Sequence, residues 1–302
     1  MYFYSANEYY KSRFGGKVYK ISLNAGTSCP NRDGKLSTDG CIFCSESGSG
    51  DFSPESTLSV DEQIETAVLR VRDKFRENRF IAYFQSFTNT YAPVEYLERI
   101  FTQALNNNKI VALSIATRPD CLGDDIMSLL KKLDSVKPVF VELGLQTVHK
   151  STADFINRCY ELSVFDEAVQ KLKAADINVI VHVILGLPFE NEEMMYQTVS
   201  YVGKSGADGI KLQLLHVLKN TRLADIYQSG AFEVLTLEKY TDIVCNCVEL
   251  IPRHMVIHRL TGDGAKRLLI APKWSGNKKL VLNTINKAMR DRNIIQGSKF
   301  IP

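Results

Sequence analysis

The chain has 302 residues, 45% hydrophobic and 24% charged, a balance that suits a folded protein with a large core and excludes a disordered or fibrous polymer. Its longest apolar stretch, Ile177 to Phe189, is too short to cross a bilayer and contains His182 and Pro188. Met1 to Gly16 lacks the apolar run of a secretory signal, and seven cysteines are an odd number for a disulfide framework, so a cytoplasmic protein without a membrane partner is expected. Net charge is only +3, yet residues 264–302 hold nine Lys or Arg against Asp291 alone, which makes that tail +8 and the remainder −5. A basic C-terminal helix of this kind either meets a phosphate backbone or forms a solvated face.

In chain order, Val18 to Leu23 alternates as a short strand leading into a cysteine loop. Pro30, Asp33-Gly34 and Asp39-Gly40 set successive turns in that loop, and Gly48, Gly50 and Pro54 close it. Val60 to Phe75 has apolar residues at helical spacing with Asp61 and Glu62 in its first turn, as a first crossover helix should. Five continuous apolar runs follow: Phe80 to Phe84, Ile110 to Ile115, Val139 to Leu145, Val179 to Leu185 and Ile210 to Leu215. Continuous rather than alternating, they read as buried strands of a parallel sheet. Helical patterns at Val94 to Asn106, Gly123 to Leu133, Ser163 to Ala175 and Glu190 to Lys204 lie between them. Six βα units joined by right-handed crossovers predict an α/β fold, a partial (βα)6 TIM barrel. No composition break marks a linker, so residues 1–251 are expected to form one catalytic domain and residues 252–302 a C-terminal extension capping the barrel.

The chemistry-bearing stretch is the loop after the first strand, where Cys29, Cys41 and Cys44 fall within sixteen residues. A C-x-x-C pair and a third thiolate suit three corners of a [4Fe-4S] cluster. The fourth iron would lack a local ligand, because the next cysteine is Cys121, and would be open to a small molecule. Two alternatives stand beside this reading. A zinc site normally closes with four protein ligands and only one pair is visible here; a redox C-x-x-C would need neither Cys29 nor the turn-rich loop. Phe43, just before the last cysteine, can lay its face beside an adenine held at the open iron.

The C-x11-C-x-F-C spacing resembles an extended form of the C-x3-C-x2-C loop of radical S-adenosylmethionine (SAM) enzymes. Cys29-Pro30-Asn31-Arg32-Asp33-Gly34, Tyr83-Phe84-Gln85, Thr88-Asn89-Thr90-Tyr91-Ala92-Pro93-Val94-Glu95, Thr117-Arg118-Pro119-Asp120-Cys121, Val141-Glu142-Leu143-Gly144-Leu145-Gln146-Thr147 and His258-Arg259-Leu260-Thr261-Gly262-Asp263 extend the resemblance over nearly the whole chain. Together they are similar to the YtqA/YhcC-like radical SAM proteins, relatives of the elongator-subunit-3 and MiaB groups. The resemblance implies a [4Fe-4S] cluster on Cys29, Cys41 and Cys44, SAM as the second cofactor, and a one-electron reductant such as flavodoxin or ferredoxin. It also implies that the reduced cluster cleaves SAM to methionine and a 5′-deoxyadenosyl radical that removes hydrogen from an unreactive C–H bond.

Site residues are expected at the carboxyl ends of the strands. Gln85-Ser86-Phe87-Thr88-Asn89 stands where many radical SAM proteins carry Gly-Gly-Glu, leaving the methionine amine to Gln85, Thr88 or backbone carbonyls. Glu142 and Gln146 share a strand face with Gly144, and Glu142 would bind the SAM ribose or, as a buried carboxylate, pair with Arg118. Arg158 resembles the arginine that relatives aim at the SAM carboxylate, a bidentate match. The resemblance puts adenine near Ile184 and Gly186, with His182 on the same face as either a site residue or a satisfied core histidine. Arg118, Lys211, Gln213, Asp263 and Trp274 are candidates for the substrate. Arg118 has Asp120 as a competing scaffold partner, and the Trp274 loop has a competing role as a packed cap.

Most relatives are associated with tRNA modification, which points to a wobble-uridine side chain. The chain departs from the usual family wording at Asn24-Ala25-Gly26-Thr27-Ser28, at Cys159-Tyr160, at Gln213 where His is customary and at Asn220 in place of Gly. Those departures favour a different ligand, the 7-deazaguanine base queuine, split by a lyase in queuosine salvage. A non-catalytic, metal-stabilised RNA-binding module is the third alternative.

Overall fold

The computed structural model describes residues 2–73, 75, 77–262 and 264–302. Chain order begins with α1 (Ala6–Phe14), β1 (Tyr19–Leu23), α2 (Val60–Val71), β2 (Phe80–Phe84), α3 (Val94–Asn106), β3 (Ile110–Thr117) and α4 (Asp124–Asp134). It continues through β4 (Val139–Gln146), α5 (Lys150–Phe155), α6 (Leu162–Ala174), β5 (Asn178–Leu185), α7 (Glu192–Lys204) and β6 (Gly209–Leu214). The last part holds β7 (Val217–Leu218), α8 (Arg222–Gln228), α9 (Leu237–Leu250), β8 (Val256–Arg259), β9 (Leu269–Ala271) and α10 (Lys278–Asp291). Seven strands pair in the order β1-β2-β3-β4-β5-β6-β8, every pair parallel. The expected six-unit half-barrel is present, and β8 extends it by one strand, so the segment after Pro252 contributes a strand to the sheet. β7 and β9 form a separate antiparallel pair.

The strand residues sort by the two-residue period into an outer and an inner face. Outward residues such as Ile21, Leu23, Phe84, Ile115, Val141 and Val183 pack on the helices in the main core. The inner face is layered from bottom to top. At the amino ends of the strands Ile81, Ala112, Phe140 and Ile180 form an apolar layer, plugged by Tyr10 of α1, whose Ser5 cap accepts from Glu8 N–H. Above it lies a layer of polar and charged side chains, and above that, at the carboxyl ends, the cysteine loop. A sealed bottom and an open top put any chemistry at the carboxyl ends.

Helix ends are tied by side chains where the sequence provides them. Ser59 and Glu62 form a reciprocal capping box on α2, and Asn191, Thr221, Thr236 and Asn277 cap α7 to α10. Part of the basic tail is spent on the preceding helix: Arg292 donates to Asp242 at 2.5 Å and Lys299 pairs with Glu249 at 2.7 Å. Among the described residues no helix is long and apolar enough to cross a membrane.

Candidate active site at the carboxyl ends of the strands

The cysteine loop is built around Arg32 and Asn31. Arg32 donates to the carbonyls of Cys44 (3.0 Å), Ser45 (2.8 Å) and Glu46 (3.4 Å), so one guanidinium satisfies three carbonyls of a turn-rich segment that cannot pair them in a sheet. Gly40 has φ +72°, and a Cβ there would lie 2.7 Å from Arg32 Nε, so only glycine fits before Cys41. Asn31 is fully buried; its Nδ2 donates to Asn157 O (2.5 Å) and lies 3.6 Å from Cys41 Sγ. Asn157 replies through its Nδ2 to Gly40 O (2.8 Å), and Ile42 N–H donates to Ile156 O (3.2 Å). The loop is thereby docked on the segment between α5 and α6.

Cys29, Cys41 and Cys44 line one cavity of ≈ 240 Å³. The proximity of Cys44, and then burial, pushes the Cys41 thiol well up. The Cys41 contact, assisted by the Arg32 charge, lowers Cys44 despite its burial. Three thiols on one cavity wall fit a cluster with a free corner, since soft thiolates are the usual ligands of such clusters.

The cavity floor is the charged layer. Glu142, 1% exposed, accepts from Lys20 Nζ (2.5 Å), Ser114 Oγ (2.6 Å), His182 Nε2 (2.6 Å) and Lys211 Nζ. Burial alone would raise its carboxyl; the Lys20 and Lys211 charges override that and hold it well below the usual range. Burial lowers Lys211 to about 7 against the opposing pull of Glu142, and burial with the Lys211 charge lowers His182 to about 4. Gln213 Nε2 faces His182 Nδ1 at 3.1 Å. Glu142 therefore does not pair with Arg118; Arg118 donates to both oxygens of Asp120 (2.9 and 2.7 Å) and to Arg158 O (3.0 Å).

Lys20, Tyr83 and Ser114 were not among the expected site residues. The two-residue period that placed Glu142 inside also places Lys20 inside, so a lysine within a buried strand was the available signal.

Of the remaining expected residues, Phe43, Gln85, Thr88, Arg118, Gln146, Arg158, Ile184, Lys211 and Gln213 also line the cavity. Phe43 and Ile184 share one apolar cluster on its upper wall. Gln85 is held between Ser22 Oγ (3.0 Å) and Ser49 O (2.9 Å). Gln146, at φ +66°, turns its amide N–H groups to the carbonyls of Gly144 (2.9 Å) and Leu145 (2.8 Å). Arg158 is buried and donates to the carbonyls of Leu145 (3.2 Å), Thr147 (2.6 Å) and Tyr160 (3.2 and 3.0 Å), so most of its donors are already engaged. Two residues lie elsewhere. Gly186 packs beside Leu235, and Trp274 stacks near Tyr240 with its Nε1–H donating to Leu235 O (3.0 Å); the indole is a packed cap. Asp263 lies outside the described residues.

The family description "Radical SAM superfamily" matches residues 24–202, and "Radical_SAM C-terminal domain" matches residues 207–291. YtqA of Bacillus subtilis is 44% identical over 298 residues, covering 99% of this chain and 92% of that protein. A tRNA uridine(34) acetyltransferase of Methanocaldococcus jannaschii is 26% identical over 159 residues, 52% of this chain and 29% of that protein. Among solved structures, Elp3 of Methanocaldococcus infernus with an N-terminal deletion superposes with a TM-score of 0.67 at 18% identity; the match covers 92% of this chain and 64% of that one, a likeness of fold. The chain belongs to the radical SAM superfamily, in the family of YtqA and YhcC, whose members use a [4Fe-4S] cluster and SAM.

Proposed function

We propose that this radical SAM enzyme is a lyase acting on a small nucleobase, with queuine as its substrate, and that it serves queuosine salvage. The observation that carries the reading is the floor beneath the thiols, a compact set of polar side chains, Lys211, His182 and Gln213, anchored on Glu142 within one ≈ 240 Å³ cavity. Deep polar groups at fixed positions suit a small, hydrogen-bonding planar molecule better than a macromolecule reaching in from the surface.

When bound, the cluster and SAM supply one-electron cleavage of a sulfonium and a radical able to take hydrogen from an unreactive C–H bond. Cys29, Cys41 and Cys44 would hold the cluster. Phe43 and Ile184 would flank the adenine, Gln85 and Thr88 the methionine amine, Arg158 the carboxylate through its one remaining N–H, and Gln146 the ribose. Glu142, expected at the ribose, has both oxygens engaged by Lys20, Ser114, His182 and Lys211 and anchors the floor instead. Lys211 and Gln213, with Arg118 at the rim, would orient the base. The apolar plug around Tyr10 and Phe140 packs at the barrel bottom, beneath the polar floor. In this reading residues 1–251 carry the catalysis, residues 252–302 cap it, and a flavodoxin or ferredoxin is the electron donor.

The test is anaerobic incubation of reconstituted protein with SAM, reductant and queuine. Formation of aminomethyl-deazaguanine supports the lyase, and its absence removes it. A second reading, modification of a tRNA wobble-uridine side chain, is favoured by the likeness to the tRNA uridine(34) acetyltransferase and by the +8 tail. It requires tRNA binding that weakens steeply with salt.

A further inference from the structure

A chain of three side chains crosses the cavity floor from β4 through β5 to β6. Glu142 Oε2 lies 2.6 Å from His182 Nε2, and His182 Nδ1 lies 3.1 Å from Gln213 Nε2. An ionised carboxylate only accepts hydrogen bonds, so His182 carries its proton on Nε2 and keeps a lone pair on Nδ1. A lone pair needs an N–H opposite, so Gln213 offers its amide nitrogen to His182. That leaves the Gln213 carbonyl on the other side of the amide, on a half-buried side chain that lines the cavity. No donor among the described residues bonds to this Oε1. The chain is locked at both ends of its logic. Lys20 and Lys211 keep Glu142 ionised, while burial and Lys211 keep His182 neutral through the physiological range.

We propose that the Glu142–His182–Gln213 relay fixes the Gln213 carbonyl as an acceptor facing the cavity, which makes Gln213 a specificity residue for substrates that present an N–H or O–H donor there. Glu142 and His182 are positioning residues that act through it. The proposal deepens the reading of a nucleobase substrate and rests on it for the molecule bound; a 7-deazaguanine base offers a lactam N–H and an exocyclic amine as donors. A base with only acceptors on that edge would leave the carbonyl unpaired in a partly desolvated site and would be rejected.

The experiment has two arms. In the first, the reconstituted enzyme labelled with 15N-histidine is studied by NMR at pH 7, with His182→Gln to assign the resonances. His182 should show a protonated Nε2 and an unprotonated, hydrogen-bonded Nδ1. Gln213→Met should move Nδ1 toward the value of a free lone pair and leave Nε2–H in place. A proton on Nδ1, or an Nδ1 signal indifferent to Gln213→Met, overturns the relay. In the second arm queuine is the probe: Gln213→Met raises KM about tenfold, the equivalent of about 1.4 kcal/mol, with a smaller change in kcat, and His182→Leu raises KM less because the amide is then free to turn either way. An unchanged KM, or a loss in kcat alone, overturns the role of the carbonyl. If queuine is not consumed by the unaltered enzyme, the lyase reading falls and the NMR arm alone decides the relay.

Discussion

Replacing Glu142 by Gln tests the charged layer most directly. The carboxylate is fully buried as a side chain and accepts from two ammonium groups, an imidazole and a hydroxyl. Glutamine keeps the shape but removes the charge, and it turns an NH2 toward groups that are themselves donors. Breaking a buried ion pair by removing one partner costs about 3–5 kcal/mol. The lower end applies here for two reasons. Lys211 already titrates at about 7 and will shed its proton when its counter-charge goes, and the Lys20 side chain keeps 19% exposure, so water relieves part of its loss. A cost of about 3 kcal/mol corresponds to a Tm lowered by about 6 °C at roughly 2 °C per kcal/mol for a chain of this size. Thermal unfolding followed by circular dichroism at pH 7.5, at matched scan rate and cluster loading, measures it. In the double variant Lys20→Met, Glu142→Gln, at least half of the loss should return, since the stranded charge is gone. A Glu142→Gln protein within about 1 °C of the parent, or a double variant that merely adds two losses, refutes the reasoning.

Three further outcomes follow from the same geometry. Cys44→Ser removes one of the three cavity thiols, so anaerobically reconstituted protein should lose most of its iron and its brown absorbance while its far-ultraviolet circular dichroism is unchanged; retention of full iron would refute the ligand set. Burial holds Lys211 at about 7, below its ordinary 10.5, so between pH 7 and 10.5 the unfolded chain binds the extra proton and stability rises with pH. The parent should therefore gain on Lys211→Met between pH 7 and 9 in urea titrations, and a flat or falling difference would refute this. Thr221 accepts from Ala224 N–H at 3.2 Å and donates to Leu218 O at 2.7 Å, so Thr221→Val should cost about 1 kcal/mol in urea unfolding.

Much of the scaffold is legible in the sequence because buried parallel strands announce themselves as continuous apolar runs. The segments Phe80 to Phe84 and Val94 to Asn106 coincide with β2 and α3, Val60 to Phe75 overruns α2 by four residues, and the others differ from the observed elements by a residue or two at their ends. The helix α1 is not legible, since Tyr, Ser and Asn dominate its surroundings and its role as a plug depends on the barrel it closes. In the site, periodicity says which face a side chain occupies but not which neighbour it meets. Glu142 and Lys211 lie on strands separated by β5, and only the register that sets Gly144 beside His182 and His182 beside Lys211 shows them converging. Trp274 shows a second limit: a lone indole in a Gly-rich loop reads equally as a residue that stacks a substrate or as a packed cap, and only the structure, where its N–H is used by Leu235 O, separates the two.

The thiols and the polar floor come from distant parts of the sequence, yet a single short segment ties them together. Asn157, at φ +57°, gives its carbonyl to Asn31 and its side chain to Gly40, which fixes the height of Cys41 above the sheet. Arg158, the next residue, reaches back to the carbonyls of Leu145 and Thr147 at the end of β4, the strand that carries Glu142. The cysteine loop and β4 are thus joined through two adjacent residues. The left-handed backbone at Asn157 costs little for asparagine and more for a residue without its compact polar side chain. The position of the three thiols relative to the polar floor thus rests on local backbone geometry at Asn157 and Arg158, and a fixed spacing of this kind is what proximity effects in catalysis require.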